Sequence, residues 1–210
     1  MIQRRFGQYL WRVDTEEKAV YLTFDDGPTP QITDWVLDVL NAYEAKATFF
    51  MVGDQVRKHP ETAHRVIDEG HTVGNHTRTH LNGKKTPTYQ YLRDFAECQQ
   101  ILREYTGHRP KFFRPPYGRI TKAQAEPILK RGLEIVMMDI ITGDFDASRS
   151  EAKVSKVALT YAKPGAIILF HDSEKAWPRL EKALPKVMES LADRGYEFRA
   201  LGEPVMAGVE

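Results

Sequence analysis

The sequence predicts an α/β fold, a single domain over residues 1–210 in which parallel strands alternate with helices. Apolar runs with strand character recur along the chain, and patterns with apolar positions three to four residues apart separate them. No Gly/Ser linker, low-complexity tract or internal repeat interrupts this alternation. Alternating β and α elements favour a parallel sheet, either open or closed into a barrel.

The individual elements follow from these patterns in chain order. The strand-like runs are AVYLTF (19–24), AKATFFMVG (45–53), HTVG (71–74), KFF (111–113), EIVMMDI (134–140), AIILF (166–170) and YEFRA (196–200). Helical patterns occupy 32–45, 60–70, 91–105 and 179–195. In the last of these, Gly195 ends the helix after an apolar face, which we expect to support the sheet; the face consists of Leu180, Leu184, Val187 and Leu191.

Charge, cysteine content and hydropathy narrow the functional classes. The 30 basic and 29 acidic residues give a net charge of +1 and are spread along the chain, so no basic stripe indicates a nucleic-acid partner. The single cysteine, Cys98, lies at helical spacing with apolar residues, which predicts a core position, and it permits no internal disulfide. No run suits a membrane span or a leader, which predicts a cytoplasmic protein, or a cell-envelope protein if a leader was removed. The oligomeric state stays open.

Polar residues collect where the predicted strands end. In a parallel α/β fold the carboxyl ends of the strands meet on one face, where active sites form. The residues that follow five of the runs are Asp25 and Asp26; Asn75, His76 and His80; the stretch RPPYG from Arg114; Asp144; and His171 and Asp172. A single histidine is more often a surface or core residue, but agreement among these strand ends predicts a site.

Two of these groups suggest a metal ion. In HTRTH, His76 and His80 are four residues apart, which on a helical turn puts both rings on one face. Two imidazoles and one carboxylate leave open coordination positions and suit Zn²⁺, or Co²⁺, Ni²⁺ or Mn²⁺. Asp25 and Asp26 stand side by side after a buried run, where ionised carboxylates repel unless a cation offsets them. The aspartates therefore strengthen a signal that HxxxH alone carries weakly.

Five motifs stand in a characteristic order: TFDDGP (23–28), HTRTH (76–80), RPPYG (114–118), GDFD (143–146) and ILFHD (168–172). In order and spacing, residues 21–172 resemble the polysaccharide deacetylases, also called carbohydrate esterase family 4 or the NodB-homology group. The resemblance implies a distorted (β/α)7 barrel, similar to a TIM barrel. It also implies metal-dependent hydrolysis of an acetyl group, N-linked in preference to O-linked, on a glycan or amino-sugar conjugate.

The resemblance also implies a role for the first two motifs. Asp26, His76 and His80 would bind the metal, with Zn²⁺ expected. Asp25 would be the general base that takes a proton from metal-bound water. An adjacent pair suits these roles because one carboxylate holds the cation while the other reaches the water on it.

Residues of the later motifs complete the implied site. Arg114 would pair with Asp25 and keep it ionised and oriented. Pro116 belongs to a rigid turn, and the backbone N–H of Tyr117 would help to hold the tetrahedral oxyanion. His171 would be the general acid that protonates the departing nitrogen or oxygen. Asp144 would orient His171 and raise its pKa.

One position departs from the family pattern. The family usually carries a tryptophan after the aspartate of its fourth motif, where this chain has Phe145, which keeps an apolar surface but loses the indole N–H. The substitution bears on the substrate class more than on the chemistry. Trp177 is expected either to line the sugar site or to cover the barrel, Asp172 to be a helix cap or a turn residue, and Trp11 has no assignment.

Two other functions fit the same sequence. A relative that hydrolyses another amide, such as a formylated sugar lipid or a cyclic ureide, would have a similar catalytic set. A carbohydrate-binding protein that kept the fold and lost activity is the second, and the intact motif residues argue against it. The glycan, its chain length and the native metal stay open at this point.

Overall fold

A parallel sheet with β1 in its interior forms the centre of the fold, and the computed structural model describes residues 7–202. The strands are β1 Ala19–Asp25, β2 Thr48–Met51, β3 Thr72–Asn75, β4 Phe112–Phe113, β5 Glu134–Ile135, β6 Ile140–Ile141, β7 Ile167–His171 and β8 Glu197–Phe198. The α-helices are α1 Ile32–Asn41, α2 Gly53–Lys58, α3 Pro60–Asp68, α4 Thr88–Thr106, α5 Lys122–Leu129, α6 Glu151–Tyr161 and α7 Trp177–Asp193. Short 3₁₀ turns occupy Gly83–Lys85 and Pro116–Gly118.

The order of the strands brings distant motifs to one edge. The sheet runs β5-β4-β3-β2-β1-β7-β6, β8 pairs with the start of β1, and all these pairs are parallel. It curls into a half-barrel with helices around it, which confirms the distorted (β/α)7 barrel and the single domain expected from the motifs. In this register Asp25 at the end of β1 lies opposite His171 at the end of β7.

One predicted strand is two strands in the structure. The run at 134–140 ends β5 at Ile135 and begins β6 at Ile140. β5 pairs with β4 at one edge of the sheet, whereas β6 pairs with β7 at the other edge. The residues between them cross from edge to edge, and Val136, Met137 and Met138 are buried, so the apolar run marks a buried crossing instead of one continuous strand.

Residues 9–13, which we call the N-terminal segment, meet this crossing. Leu10 donates its N–H to the carbonyl of Ile135 at 2.9 Å, and its own carbonyl accepts the N–H of Met137 at 2.7 Å. These bonds satisfy one backbone group at the end of β5 and one in the crossing. The barrel is therefore completed by a stretch of sequence for which no strand was predicted.

Aromatic side chains pack together next to the site residues at the ends of β1 and β7. The ring centroid of Phe24 lies 5.0 Å from that of Phe49 and 6.0 Å from that of Phe170, and both pairs are stacked. Phe24 and Phe170 immediately precede Asp25 and His171 in the sequence. Close packing below the sheet edge therefore limits how far these two polar side chains can shift.

The positions predicted to be scaffold are buried. The apolar face of α7 is fully enclosed, and so is the thiol-bearing Cys98, as expected from its helical spacing. Among the helices in the described part of the chain, none combines the length and the apolar composition needed to cross a membrane.

Candidate functional site

The carboxyl ends of the strands surround a cavity of about 540 Å³. The predicted site residues that line it are Asp25, Asp26, His76, His80, Tyr117, Phe145 and His171. The other three, Arg114, Pro116 and Asp144, are buried and do not line it. The structure thus brings all ten residues to one end of the barrel, seven at the cavity surface and three behind it.

Three side chains converge as metal ligands would. Asp26 Oδ1 lies 3.1 Å from His80 Nε2 and 3.7 Å from His76 Nε2. One ligand atom from each residue can be chosen so that the three atoms lie within 4.8 Å of one another. Two imidazoles and a carboxylate at this separation leave room on one side for water or substrate, as in catalytic zinc sites.

The loop that carries the histidines is not the helical turn that their spacing predicted. It is irregular, with φ of 64° at Thr77 and 59° at His80. The N–H groups of Gly53 and Asp54, at the start of α2, donate to the carbonyls of Thr77 and Arg78, both at 3.0 Å. These long-range bonds use carbonyls that a helix would have bonded internally. The two histidine rings still lie close, with centroids 5.0 Å apart.

A backbone contact sets the tautomer of His76. Its Nδ1 lies 2.8 Å from the carbonyl of Arg114, which can only accept, so Nδ1 carries the proton. Nε2 then presents a lone pair toward Asp26, the orientation that a metal-binding histidine needs. Burial lowers the pKa of His76 to about 4, against the opposing charge of Asp25, so the ring is neutral at pH 7.

The environment of Asp26 fits a cation. Burial alone would raise the pKa of Asp26, but His80, His171 and His76 hold it well below its ordinary range. The Oδ1 atom is enclosed, and within the described residues no donor meets it in hydrogen-bond geometry. A buried carboxylate oxygen without a donor, facing two imidazole nitrogens, is the donor set that Zn²⁺ takes.

Left-handed backbone conformations cluster at this site. Asp26, Thr77, His80 and Tyr117 have φ of 84°, 64°, 59° and 60°, values that favour glycine. Each such residue lowers the free energy of unfolding by about 1–3 kcal/mol, so the conformation persists only where surrounding contacts hold the backbone in it. The cluster places side chains on turns where glycine would be easier, which points to a requirement for those side chains.

Asp25 is paired with a fully buried arginine. Arg114 Nη1 donates to Asp25 Oδ1 at 2.7 Å and to Thr23 Oγ1 at 2.8 Å, and Nη2 donates to the carbonyl of Met137 at 3.0 Å. The guanidinium also lies over the ring of Phe50, 4.1 Å from its centroid. Burial lowers the pKa of Arg114, and Asp25 opposes this shift. This is a buried ion pair in fixed geometry, unlike a surface pair.

His171 is held through both of the Asp144 oxygens. Asp144 Oδ1 lies 2.8 Å from His171 Nδ1, and Oδ2 accepts the backbone N–H of His171 at 2.7 Å. Burial would lower the pKa of His171, but the hydrogen bond and charge of Asp144, with the charges of Asp25 and Asp26, raise it to about 9. The ring is therefore protonated at neutral pH with Nε2–H available to donate.

The remaining predicted residues differ in their placement. Tyr117 is 63% exposed on the cavity, with its ring 4.6 Å from that of His80. Phe145 is 37% exposed, and its ring meets the ring of His171 at 5.1 Å between centroids. Pro116 is buried at the start of the 3₁₀ turn, so its contribution is to the shape of the turn.

Asp94 is a buried carboxylate that the motif analysis did not single out. In α4, its Oδ1 accepts the N–H groups of Arg78 and Thr79 at 2.8 and 3.0 Å, and Oδ2 accepts the Thr79 hydroxyl at 2.8 Å. It therefore holds the two residues before His80. The available signal was an aspartate on the apolar face of a helix, beside Tyr91 and Phe95.

Asp172 does not have the first of its two expected roles, the helix cap. It does not cap α7, whose N-cap is Ala176. Its carboxylate accepts the N–H of Gly27 at 3.1 Å and the hydroxyl of Thr33 at 2.6 Å, and burial raises its pKa to about 7. A Cβ on Gly27 would lie 2.0 Å from Asp172 Oδ2, so only glycine fits there. The contact ties the turn after Asp26 to β7.

The three tryptophans separate into two groups. Trp177 packs edge-on against Trp35, with centroids 5.1 Å apart, and both cover the core outside the cavity. Of its two expected positions, Trp177 therefore has the covering one. Trp11, in the N-terminal segment, lines the cavity. Nothing in its local sequence indicated this, because the cavity is assembled from strand ends that are distant in the sequence.

Comparisons with known proteins agree with this geometry. Residues 12–136 match the family model for polysaccharide deacetylase. A peptidoglycan-N-acetylglucosamine deacetylase of Bacillus cereus is 33% identical over 94% of this chain and 92% of its own length. The peptidoglycan-N-acetylglucosamine deacetylase PgdA of Listeria monocytogenes is 37% identical over 89% of this chain, which spans only 38% of that relative.

A solved structure is similar along nearly the whole fold. The crystal structure of the Bc1960 peptidoglycan N-acetylglucosamine deacetylase superposes with a TM-score of 0.88 at 33% identity, covering 92% of this chain and 91% of that one. The family model, the relatives and the architecture point the same way. The chain belongs to the polysaccharide deacetylase family.

Proposed function

We propose that the protein is a metal-dependent deacetylase that hydrolyses the N-acetyl group of a glycan or amino-sugar conjugate. One observation carries the proposal: Asp25, fixed by the buried Arg114, stands beside a convergent ligand set, with Oδ2 3.8 Å from His76 Nε2. A carboxylate that is held by an arginine and adjacent to a metal site, but outside the ligand triad, is placed as a general base.

Asp26, His76 and His80 would hold the metal, and we propose Zn²⁺ because its preferred ligands are imidazole and carboxylate. Co²⁺, Ni²⁺ or Mn²⁺ would fit the same donors. A divalent cation bound there supplies Lewis-acid polarisation of the acyl oxygen and an acidified water. The His76 tautomer and the donor-free Asp26 Oδ1 support this ligand set.

The chain's own groups would then move two protons. Asp25 accepts a proton from the attacking water, and Arg114 donates to its carboxylate and holds it toward the cavity. The backbone N–H of Tyr117 donates to the developing oxyanion. His171, protonated because of Asp144, donates to the departing amine nitrogen. An amine leaves poorly without a proton, so this acid matters more for N-acetyl than for O-acetyl groups.

The cavity surface supports a sugar substrate. Tyr117, Ile141 and Phe145 are large apolar residues that are 63%, 51% and 37% exposed, and all three line the cavity. Exposed apolar surface around a polar centre suits the apolar faces of pyranose rings, with the polar groups fixing the reacting acetamide. Both the Bacillus cereus and the Listeria relatives are named for N-acetylglucosamine, which favours an N-acetylated glycan here.

Acetate release tests the proposal directly. The purified protein, metal-stripped and then reloaded with Zn²⁺, would be assayed on N-acetylglucosamine oligomers, peptidoglycan fragments and acetylated xylan. We expect metal-dependent acetate from the N-acetylated substrates. Acetate from xylan alone would overturn the N-acetyl proposal. No acetate from any substrate would favour hydrolysis of another amide or an inactive carbohydrate-binding protein.

Metal content provides an independent check of the ligand set. The variant His80→Ala should lose bound Zn²⁺ on gel filtration, because one of three protein ligands is removed. His108→Ala is the matched control, since His108 lies outside the cavity and bonds only within its own loop among the described residues. Equal zinc content in both variants would contradict the ligand assignment. The cytoplasmic location stays a prediction.

A further inference from the structure

We propose that Trp11 is a glycan-positioning residue. Its indole ring forms part of the wall of the substrate cavity, where the N-terminal segment closes the barrel, and packs against a sugar ring. The inference rests on the proposed function and names a further part of the same site. Trp11 belongs to none of the motifs and lies just outside the residues that match the family model, 12–136.

The segment that carries Trp11 is fixed on both sides of the ring. On one side Leu10 bonds to the crossing after β5. On the other side Arg12 Nε pairs with Asp139 Oδ2 at 2.9 Å, and Val13 donates its N–H to the carbonyl of Gly165 at 2.9 Å. A Cβ on Gly165 would lie 1.9 Å from the Val13 carbonyl oxygen, so the close approach needs glycine there. The ring is therefore presented by a preorganised backbone.

The Trp11 ring lies on the catalytic cavity and also packs against the core beneath it. Trp11 is half-buried and packs against the apolar cluster that contains Met137, Met138 and Leu169, and these three residues also line the cavity. Phe145 lies on the same cavity, although 134 residues separate it from Trp11 in the sequence. Two aromatic side chains from distant parts of the chain thus border the space beside His171.

The indole N–H of Trp11 is a local cost to stability. Its Nε1–H is enclosed and, among the described residues, has no hydrogen-bond acceptor. A buried donor without an acceptor is unfavourable, and phenylalanine would fill most of the same space without that donor. A ring that carries such a donor where phenylalanine would avoid it, on the wall of a catalytic cavity, is best explained by substrate contact.

The test compares Trp11→Ala and Trp11→Phe with Trp177→Phe, all zinc-loaded, on N-acetylglucosamine oligomers. Trp177 is a matched control because it is also half-buried but packs on Trp35 away from the cavity. We expect Trp11→Ala to raise KM about 3- to 10-fold with kcat within about twofold, from the usual strength of aromatic packing. Trp11→Phe should raise KM less and leave the melting temperature unchanged or higher. Trp177→Phe should leave KM unchanged.

Binding without turnover gives a second readout. In a zinc-loaded Asp25→Asn background, the oligomer should change tryptophan fluorescence, and the change should disappear in Trp11→Phe but remain in Trp177→Phe. A folded Trp11→Ala with wild-type KM, or an undiminished fluorescence change in Trp11→Phe, would overturn the proposal for Trp11 alone. Trp11-dependent binding without acetate release from wild type would overturn the proposed function alone. Absence of both binding and acetate release would overturn both.

Discussion

On the metal side of the cavity, around β1, β3 and β4, polar groups are held by buried partners, whereas the opposite wall is largely apolar and partly exposed. Asp25 is held by Arg114 and His76 by the Arg114 carbonyl. On the other wall, Ile141 and Phe145 are 51% and 37% exposed. A changed residue on the metal side should therefore alter chemistry or metal affinity, and one on the apolar wall should alter substrate preference.

The largest expected effect comes from Asp25→Asn. The amide keeps the shape of the side chain but cannot take the proton, so kcat should fall about 10²- to 10⁴-fold. Zinc content should stay at the wild-type level because Asp26, His76 and His80 are unchanged. Steady-state kinetics with metal analysis checks both. Near-normal kcat would show that Asp25 is not the base.

Asp94→Ala should weaken the metal site without touching a ligand. It leaves two backbone N–H groups and the Thr79 hydroxyl without their acceptor, which frees the loop before His80. We expect zinc affinity to fall about 10- to 100-fold in chelator competition, with stability lower by about 1–3 kcal/mol. Asp94→Asn keeps one acceptor oxygen, so its zinc affinity should lie between that of the wild type and that of Asp94→Ala.

Glu97→Ala is the matched control for Asp94. Glu97 lies one turn further along α4 and bonds to the side chain of Arg78 at 2.8 Å, but not to the backbone of the loop. Zinc affinity should be unchanged in this variant. If Glu97→Ala weakened zinc binding as much as Asp94→Ala, the loop bonds would not be the cause.

Asp144→Asn should move the alkaline limb of the pH–rate profile. Without the carboxylate, burial is opposed only by the charges of Asp25 and Asp26, so the pKa of His171 should fall from about 9. The acid must be protonated, so kcat/KM at pH 8 should fall about tenfold or more. Bound metal offsets Asp25 and Asp26, so both profiles need equal zinc loading. Coincident alkaline limbs would contradict the role of Asp144.

The raised pKa of His171 also makes the stability of the fold depend on pH. A pKa of His171 that is raised on folding contributes stability fully below about pH 6.5, and this contribution is lost as pH rises through about 9. Asp144→Asn should remove it, so the gap in melting temperature between wild type and variant should narrow above that pH. A gap independent of pH would contradict the prediction.

The smallest effect is expected from Phe145→Trp on the apolar wall. The larger ring adds stacking surface for a sugar, so KM for longer N-acetylglucosamine oligomers should fall about two- to fivefold with kcat little changed. Stability should change by less than about 0.5 kcal/mol because the position is 37% exposed. Tyr89→Trp, exposed and outside the cavity, serves as the control.

The parts of the molecule that local patterns determine were predictable. The alternation of elements predicted a parallel sheet, the family resemblance predicted the barrel, and the strand-end rule predicted which residues would meet there. The register in which Asp25 lies opposite His171 came from the structure. Their catalytic roles stay predictions. The buried aspartate at 94 was also accessible to sequence reasoning, because a carboxylate on an apolar helix face requires a partner.

The features that were predicted wrongly or not at all from the sequence depend on long-range contacts. The loop that carries His80 is irregular because Asp94 and the start of α2 bond its backbone groups, and the four-residue spacing carried no information about these bonds. The run 134–140 is apolar either as one strand or as a crossing between two edges. Trp11 could be assigned only once its partners across the barrel were known.

The closure of the barrel by the N-terminal segment has a consequence for folding. Arg12 and its partner Asp139 are 127 residues apart in the sequence, so the seam between the N-terminal segment and the crossing after β5 joins distant parts of the chain. Contacts of such separation form late, because loop-closure entropy opposes them until the intervening chain is ordered. A few isolated bonds hold the seam, whereas a continuous ladder joins β1 to β7 over a similar separation. We therefore expect the seam to open first, with exchange of the Met137 amide reporting it.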